Sequence, residues 1–208
     1  MKTTTELYPV WIRVWHWSNA LAFLVLVTTG VSLHFAAPGA PLIPFNTARI
    51  LHNLFGILLT AGWVGFVVGT LTSGNGRHYR PRFPGLAGRL LTQALFYGVG
   101  IFRNAHHPFP ATREAKFNPL QQVTYLMVMF AAMPVLILSG LGFFFHDWLP
   151  ERLLEMDALW VVGVLHYLVG LFLTLFLIGH LYLATAGETL FGEFKKMIFG
   201  STLTEEKS

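Results

Sequence analysis

His166 and His180 stand 14 residues apart in a stretch, Ala158 to Gly187, that holds no Lys, Arg, Asp or Glu. In an α-helix that spacing turns the chain by about 1400°, some 40° short of four full turns, so both imidazoles share one face at a rise of about 21 Å. His16 and His52 lie in two further stretches of the same kind, Val14 to Ala48 and Ile50 to Gly76. An ionisable ring among apolar residues is costly without a partner, which makes each of the four a functional candidate. Imidazole ligates iron, zinc and copper, and it relays protons.

The elements that must position these rings follow from composition. The chain has 208 residues, 54% hydrophobic and 12% charged, about half the charged share of a soluble domain. With Phe117 to Phe145, the charge-free stretches number four. Each holds at least ~20 predominantly apolar residues, enough to cross ~30 Å of hydrocarbon as a helix. A single segment in lipid must satisfy its own backbone groups, so helix is the only choice. The expected fold is an all-α integral membrane four-helix bundle, a single domain over 1–208. Its helices are expected near 10–34, 48–72, 118–143 and 158–186. The turn Ala36-Ala37-Pro38-Gly39-Ala40-Pro41 separates the first two. In the long connection 73–117, Leu90 to Phe102 is apolar but too short to span, which suits a helix lying at the interface.

Orientation follows from the basic residues. With the N-terminus inside, all but two of the 14 Lys and Arg fall on the cytoplasmic side, Arg49 and Arg152 being the exceptions. The expectation is N-in and C-in. Trp11, Trp15 and Trp17 then suit the inner interface, and Trp148 and Trp160 the outer. Lys2 and Phe35-Ala36-Ala37 imitate a cleaved leader, but Arg13 and His16 interrupt it, so the first span is read as retained. The chain has no cysteine, which excludes disulfides, covalently attached haem and Cys-ligated clusters. The net charge of +4 comes from residues flanking the spans and does not point to nucleic acid.

This topology sorts the rings by depth. His16 and His180 lie near the inner ends of their helices, His52 and His166 near the outer ends. Two facing imidazoles at one depth can ligate a haem iron from both sides, and the spacing on the fourth helix repeats that arrangement across the bilayer. The natural pairs are His16 with His180 and His52 with His166. Zinc or copper remains open, although structural zinc gathers four ligands in one place, and a proton relay or transporter is the alternative. The weak hint of a transporter's broken helix is Gly62-Trp-Val-Gly65. Arg13 and Arg49 each precede a histidine by three residues, on the same helix face and near the surface, where haem propionates need cations. Gly56, Gly163 and Gly170 flank the rings and leave room for a flat macrocycle or for helix packing. His34, His78, His106, His107 and His146 read as loop or interface residues.

Arg13-Val-Trp-His16-Trp17, His52, Lys116-Phe-Asn118-Pro-Leu-Gln121 and the His166/His180 pair resemble the dihaem cytochrome b subunits of respiratory complexes. These are the membrane anchors of nickel–iron hydrogenases, formate dehydrogenases and thiosulfate reductases, the last being the most similar in length and in the Lys-Phe-Asn-Pro-Leu-Gln stretch. The resemblance covers nearly the whole chain. It implies two haem b groups and a bacterial cytoplasmic (inner) membrane location. It also implies menaquinone or ubiquinone as exchangeable substrate beside the inner haem, with Asn118 and Gln121 at that site. Asn118-Pro119 is at the same time a helix N-cap with proline at N1. The implied partner is an extracytoplasmic catalytic or electron-transfer subunit of molybdopterin, hydrogenase, iron–sulfur or multihaem type. On that reading the chain is the electron-transfer subunit of a respiratory oxidoreductase complex.

Overall fold

The computed structural model describes residues 2–6, 8–35, 42–103, 105–112, 115–185, 190–200 and 202–206, with side chains at all of these except 2–6 and 202–206. Among the described residues, four helices are long and apolar enough to cross a membrane: Val10–His34, Phe45–Thr72, Pro119–Phe144 and Ala158–Thr185. Most of their apolar side chains, such as Leu21, Val68, Leu138 and Leu175, are exposed. A soluble protein does not leave so much contiguous apolar surface uncovered, and a bilayer covers it.

The first helix, α1 (Val10–His34), has the bounds expected from the sequence. The second, α2 (Phe45–Thr72), starts three residues early, because the Pro44 carbonyl already accepts the Ala48 N–H at 2.9 Å. It runs without interruption through Gly62 and Gly65, which removes the one sign of a broken helix. The turn expected at 36–41, and residue 186 at the expected end of the fourth helix, lie outside the described residues.

The connection between the second and third spans holds a 3₁₀ turn at Asn75–Tyr79 and α3 (Leu86–Leu95), followed by a π segment Phe96–Gly100 and a 3₁₀ turn Ile101–Arg103. The helix expected over 90–102 therefore begins earlier and loses regular form in its second half. Gly85 in the left-handed region (φ 66°) sets the start. Gly98 and Gly100 weaken the end.

The third span comprises α4 (Pro119–Met127), a π segment Val128–Ala132 and α5 (Met133–Phe144). Its irregularity has a cause in the sequence. Pro134 has no N–H and its ring crowds the carbonyl of Phe130, so the ladder widens just before it. The fourth helix is α6 (Ala158–Thr185), capped by the Asp157 carboxylate, which accepts the Trp160 N–H at 2.9 Å. Before it, strands β2 (Arg152–Leu153) and β3 (Met156–Asp157) form a tight hairpin with Leu154 (φ 53°) and Glu155 (φ 61°) in the left-handed region. The chain closes with α7 (Gly192–Phe199) and β4 (Thr202–Glu206), which pairs antiparallel with β1 (Lys2–Glu6).

The chain divides into two compact units. One comprises Met1–Arg13, Gly69–Ala131 and Gly179–Ser208. There α3 and the Asn75–Tyr79 turn pack against α4, the Trp11 ring lies against Gly69, and Asn75, His78, Tyr79 and Gln93 are buried. The other comprises Val14–Val68 and Ala132–Ile178. Its interior holds Thr29, Leu59, Phe66, Met133, Ser139, Val162 and Leu173. Trp15 stacks on Phe66 at 4.3 Å and donates its Nε1–H to the Gly62 carbonyl at 2.9 Å.

Candidate haem-binding site

Within the second unit, α2 and α6 bring His52 and His166 together. Their ring centroids are 6.2 Å apart and their planes cross at 71°. A metal–imidazole bond is about 2.0–2.1 Å, and a ring nitrogen sits about 1.1 Å from its own centroid, so two rings ligating one ion from opposite sides have centroids about 6.3 Å apart. The observed spacing fits one iron between the two imidazoles. Both rings are half-buried. Among the described residues no three His, Cys, Asp or Glu side chains converge on one point, so a four-ligand zinc cage is not built here.

Each ring is held from the neighbouring helix. His52 Nδ1 lies 2.9 Å from the Thr29 hydroxyl on α1, and His166 Nδ1 lies 3.0 Å from the Ser139 hydroxyl on α5. The next residue on each of those helices is a glycine. A Cβ at Gly30 would stand 3.4 Å from His52 Cε1, and one at Gly140 would stand 3.3 Å from His166 Cε1. The edge of Phe143 closes the other side of His166, with centroids 5.8 Å apart. Sequence reasoning missed all of these. The recoverable signal was a hydroxyl–glycine dipeptide, Thr29-Gly30 and Ser139-Gly140, on each helix that precedes a ligand-bearing helix.

Next to this pair, a cavity of about 330 Å³ is lined by His34, Phe143, Leu159, Trp160, Gly163, Val164 and Tyr167. His34, at the end of α1, stacks on Tyr167 at 4.5 Å. Of the glycines expected to flank the rings, Gly163 faces Phe143 and Gly170 faces Leu136, both in helix packing. Gly56 faces open space.

The other candidate residues fall as follows. His180 lies on the uninterrupted α6, so its 14-residue spacing from His166 holds as drawn from the sequence. His16 lies on α1, its ring edge-on to Trp17 at 5.3 Å. Arg13 donates from Nη1 to the Ile198 carbonyl in the last turn of α7 at 2.8 Å, where the helix dipole favours a cation. Arg49 is exposed, one turn before His52. Asn118 is buried and caps α4 through a full capping box. Its Oδ1 accepts the Gln121 N–H at 2.9 Å, while Gln121 Oε1 accepts the Asn118 N–H at 3.1 Å. The remaining Asn118 amide donates to the Tyr97 hydroxyl at 2.8 Å. Burial raises the Tyr97 pKa above the ordinary tyrosine value, so the phenol keeps its proton at neutral pH.

Three of the histidines given no ligand role are exposed in connections, as expected. His146 pairs with Asp147 at 3.2 Å, His107 Nδ1 accepts the Phe109 N–H at 3.2 Å, and His106 is exposed beside His107. Burial lowers the His107 pKa. His78 also lies in a connection, on the 3₁₀ turn Asn75–Tyr79, and is buried there because that turn packs against α4.

Residues 7–200 match the family of prokaryotic cytochrome b561. The chain is 40% identical over 194 residues to cytochrome YdhU of Escherichia coli K12, covering 93% of this chain and 73% of that one. It is 27% identical over 197 residues to a Ni/Fe-hydrogenase B-type cytochrome subunit of Cupriavidus necator, covering 86% and 78%. Four apolar spans, a facing pair of intramembrane imidazoles and this match together show that the chain belongs to the prokaryotic cytochrome b561 family and is a multi-pass b-type cytochrome of the bacterial inner membrane, working in electron transfer.

Proposed function

We propose that this cytochrome carries electrons between an extracytoplasmic redox partner subunit and the quinone pool, through two bis-histidine haems stacked across the bilayer. The observation that carries the reading is the His52–His166 pair, spaced for one iron. A haem supplies a one-electron couple whose potential is set by its axial ligands and surroundings. His52 and His166 hold the haem at the outer side, with Arg49 as a cation for its propionates. His180 and His16 hold a second haem at the inner side, with Arg13 nearby in sequence for the same purpose. This second pair rests on the helical phase of α6 and on the family, and it assumes the N-in, C-in orientation of the basic residues. In that orientation α3 and the segment after it lie at the cytoplasmic interface.

The quinone end is assigned to Asn118, Gln121 and Tyr97. The Asn118 carbonyl oxygen is committed to the cap and one of its two amide hydrogens to the Tyr97 oxygen, so the donors left for a quinone carbonyl are the Tyr97 hydroxyl and the second Asn118 hydrogen. Quinone chemistry at the cytoplasmic side moves protons as well as electrons. Each charge carried across 100 mV of membrane potential is worth about 2.3 kcal/mol, so the reaction's sidedness couples electron flow to that potential. The Cupriavidus relative is named for a hydrogenase, and a catalytic subunit of comparable kind is the proposed partner.

The purified protein, mixed with a reduced menaquinone or ubiquinone analogue, is expected to show haem reduction in a stopped-flow absorbance trace; if the partner sets a lower potential, the reduced protein is instead oxidised by the corresponding quinone. No exchange with either quinone in either direction would remove the quinone half of the proposal.

A further inference from the structure

We propose that Thr29 and Ser139 are positioning residues that fix the tautomer and the rotation of the two outer imidazoles, and through them the redox poise of the iron. The inference rests on the reading that His52 and His166 ligate a haem. Its first support is proton accounting. A hydroxyl has one proton to donate. The Thr29 Oγ1 lies 2.7 Å from the Val25 carbonyl and 3.2 Å from that of Leu26, so its proton goes back to its own helix. Toward His52 Nδ1, 2.9 Å away, it can therefore only accept. Nδ1 must carry the hydrogen, which leaves the Nε2 lone pair for a metal.

Ser139 repeats this. Its Oγ lies 2.7 Å from the Val135 carbonyl and 3.0 Å from that of Leu136, and 3.0 Å from His166 Nδ1. Both hydroxyls are almost fully buried, at 1% and 4% exposure, so no water competes for the ring N–H. The glycine after each hydroxyl lines the socket: a Cβ at Gly140 would crowd His166 Cε1 at 3.3 Å, and one at Gly30 would touch His52 Cε1 at 3.4 Å. The same device is thus built twice, on α1 for a ligand on α2 and on α5 for a ligand on α6. With the rings so held, their planes cross at 71°.

Two consequences can be read out separately. An Nδ1–H that donates to a fixed acceptor makes Nε2 a stronger donor to the metal, which favours the oxidised iron. Removing the acceptor should raise the potential of the outer haem alone. Releasing the ring also lets its plane turn, and the electron paramagnetic resonance of ferric bis-imidazole haem responds to the angle between the two planes.

The test uses the full-length purified protein carrying Thr29→Val or Ser139→Ala, with Thr29→Ser and Ser139→Thr as hydroxyl-keeping controls. At a fixed ambient potential, each hydroxyl-free variant is expected to lower the oxidised-to-reduced ratio of one haem three- to tenfold, about 30 to 59 mV for a one-electron couple. The other haem stays put, the ferric signal of the shifted haem moves, and the controls behave as wild type. Loss of that haem in Thr29→Val with full recovery in Thr29→Ser also supports the assignment. Unchanged potentials and signals in both hydroxyl-free variants at full haem content would overturn it, as would haem loss that the controls fail to restore. A wild-type protein without haem would overturn the functional reading itself, a result distinct from either of these.

Discussion

Replacing His166 by alanine is expected to lower haem from two to one per chain. The surviving haem should be the inner one, low-spin and still in exchange with quinone. His166 contributes one of two rings spaced for a single iron, and the remaining His52 cannot complete a bis-imidazole set. His52→Ala should give the same species if, as proposed, the two rings serve one site. The packing explanation predicts something else. If His166 only filled the space between Gly140 and Phe143, its loss would cost stability through a cavity and leave the haem content unchanged. A pyridine haemochrome count on His166→Ala and His180→Ala, made beside their reduced-minus-oxidised spectra, separates the cases. Loss of the same haem in both variants would refute the pairing, since the 14-residue spacing places the two rings at different depths.

The second large effect belongs to Asn118. Aspartate caps a helix as well as asparagine does, and its charge suits the N-terminal end of the dipole. Asn118→Asp should therefore keep α4 intact, with stability within about 0.5 kcal/mol of wild type. It loses the donor that now points at Tyr97, 2.8 Å away. The Tyr97 hydroxyl must then turn its own proton to the new carboxylate, and nothing is left to donate to a quinone. Quinone-linked haem reduction or oxidation is expected to fall at least tenfold, a rise of about 1.4 kcal/mol in the barrier. Asn118→Ser keeps a cap and removes the amide donor but adds no carboxylate to capture the Tyr97 proton, so its exchange with quinone should fall less than that of Asn118→Asp. Asn118→Ala removes the cap as well and should cost about 1 kcal/mol of stability on top. If Asp and Ser variants both exchange electrons with quinone at the wild-type rate, Asn118 is a cap alone.

These two predictions draw on different depths of information. The spans were legible because lipid forbids charges within them, and charge-free stretches are read directly from the chain. That His52 and His166 come close in space was legible from their common depth. What was lost locally has local causes. The start of α2 moved because a proline carbonyl, which no charge pattern marks, opens the helix. The π segment at 128–132 answers Pro134, a single residue inside an otherwise apolar run. The burial of His78 is set by packing of its short turn against α4, which the polar, basic sequence around it does not mark. The hydroxyls of Thr29 and Ser139 were not legible at all. On an apolar helix such a residue usually bonds back to its own carbonyls, as both do here, and only the adjacent helix reveals the second contact. Asn118 was legible as a cap by its context, and the bond from its side-chain N–H to Tyr97 was not.

The most direct measurement is the haem content of the purified wild-type protein, taken from a dithionite-reduced minus oxidised spectrum with a pyridine haemochrome count. Two b haems per chain, resolved as two steps in a redox titration, is the predicted result. One haem would contradict the stacked pair, and a colourless protein would contradict the account as a whole.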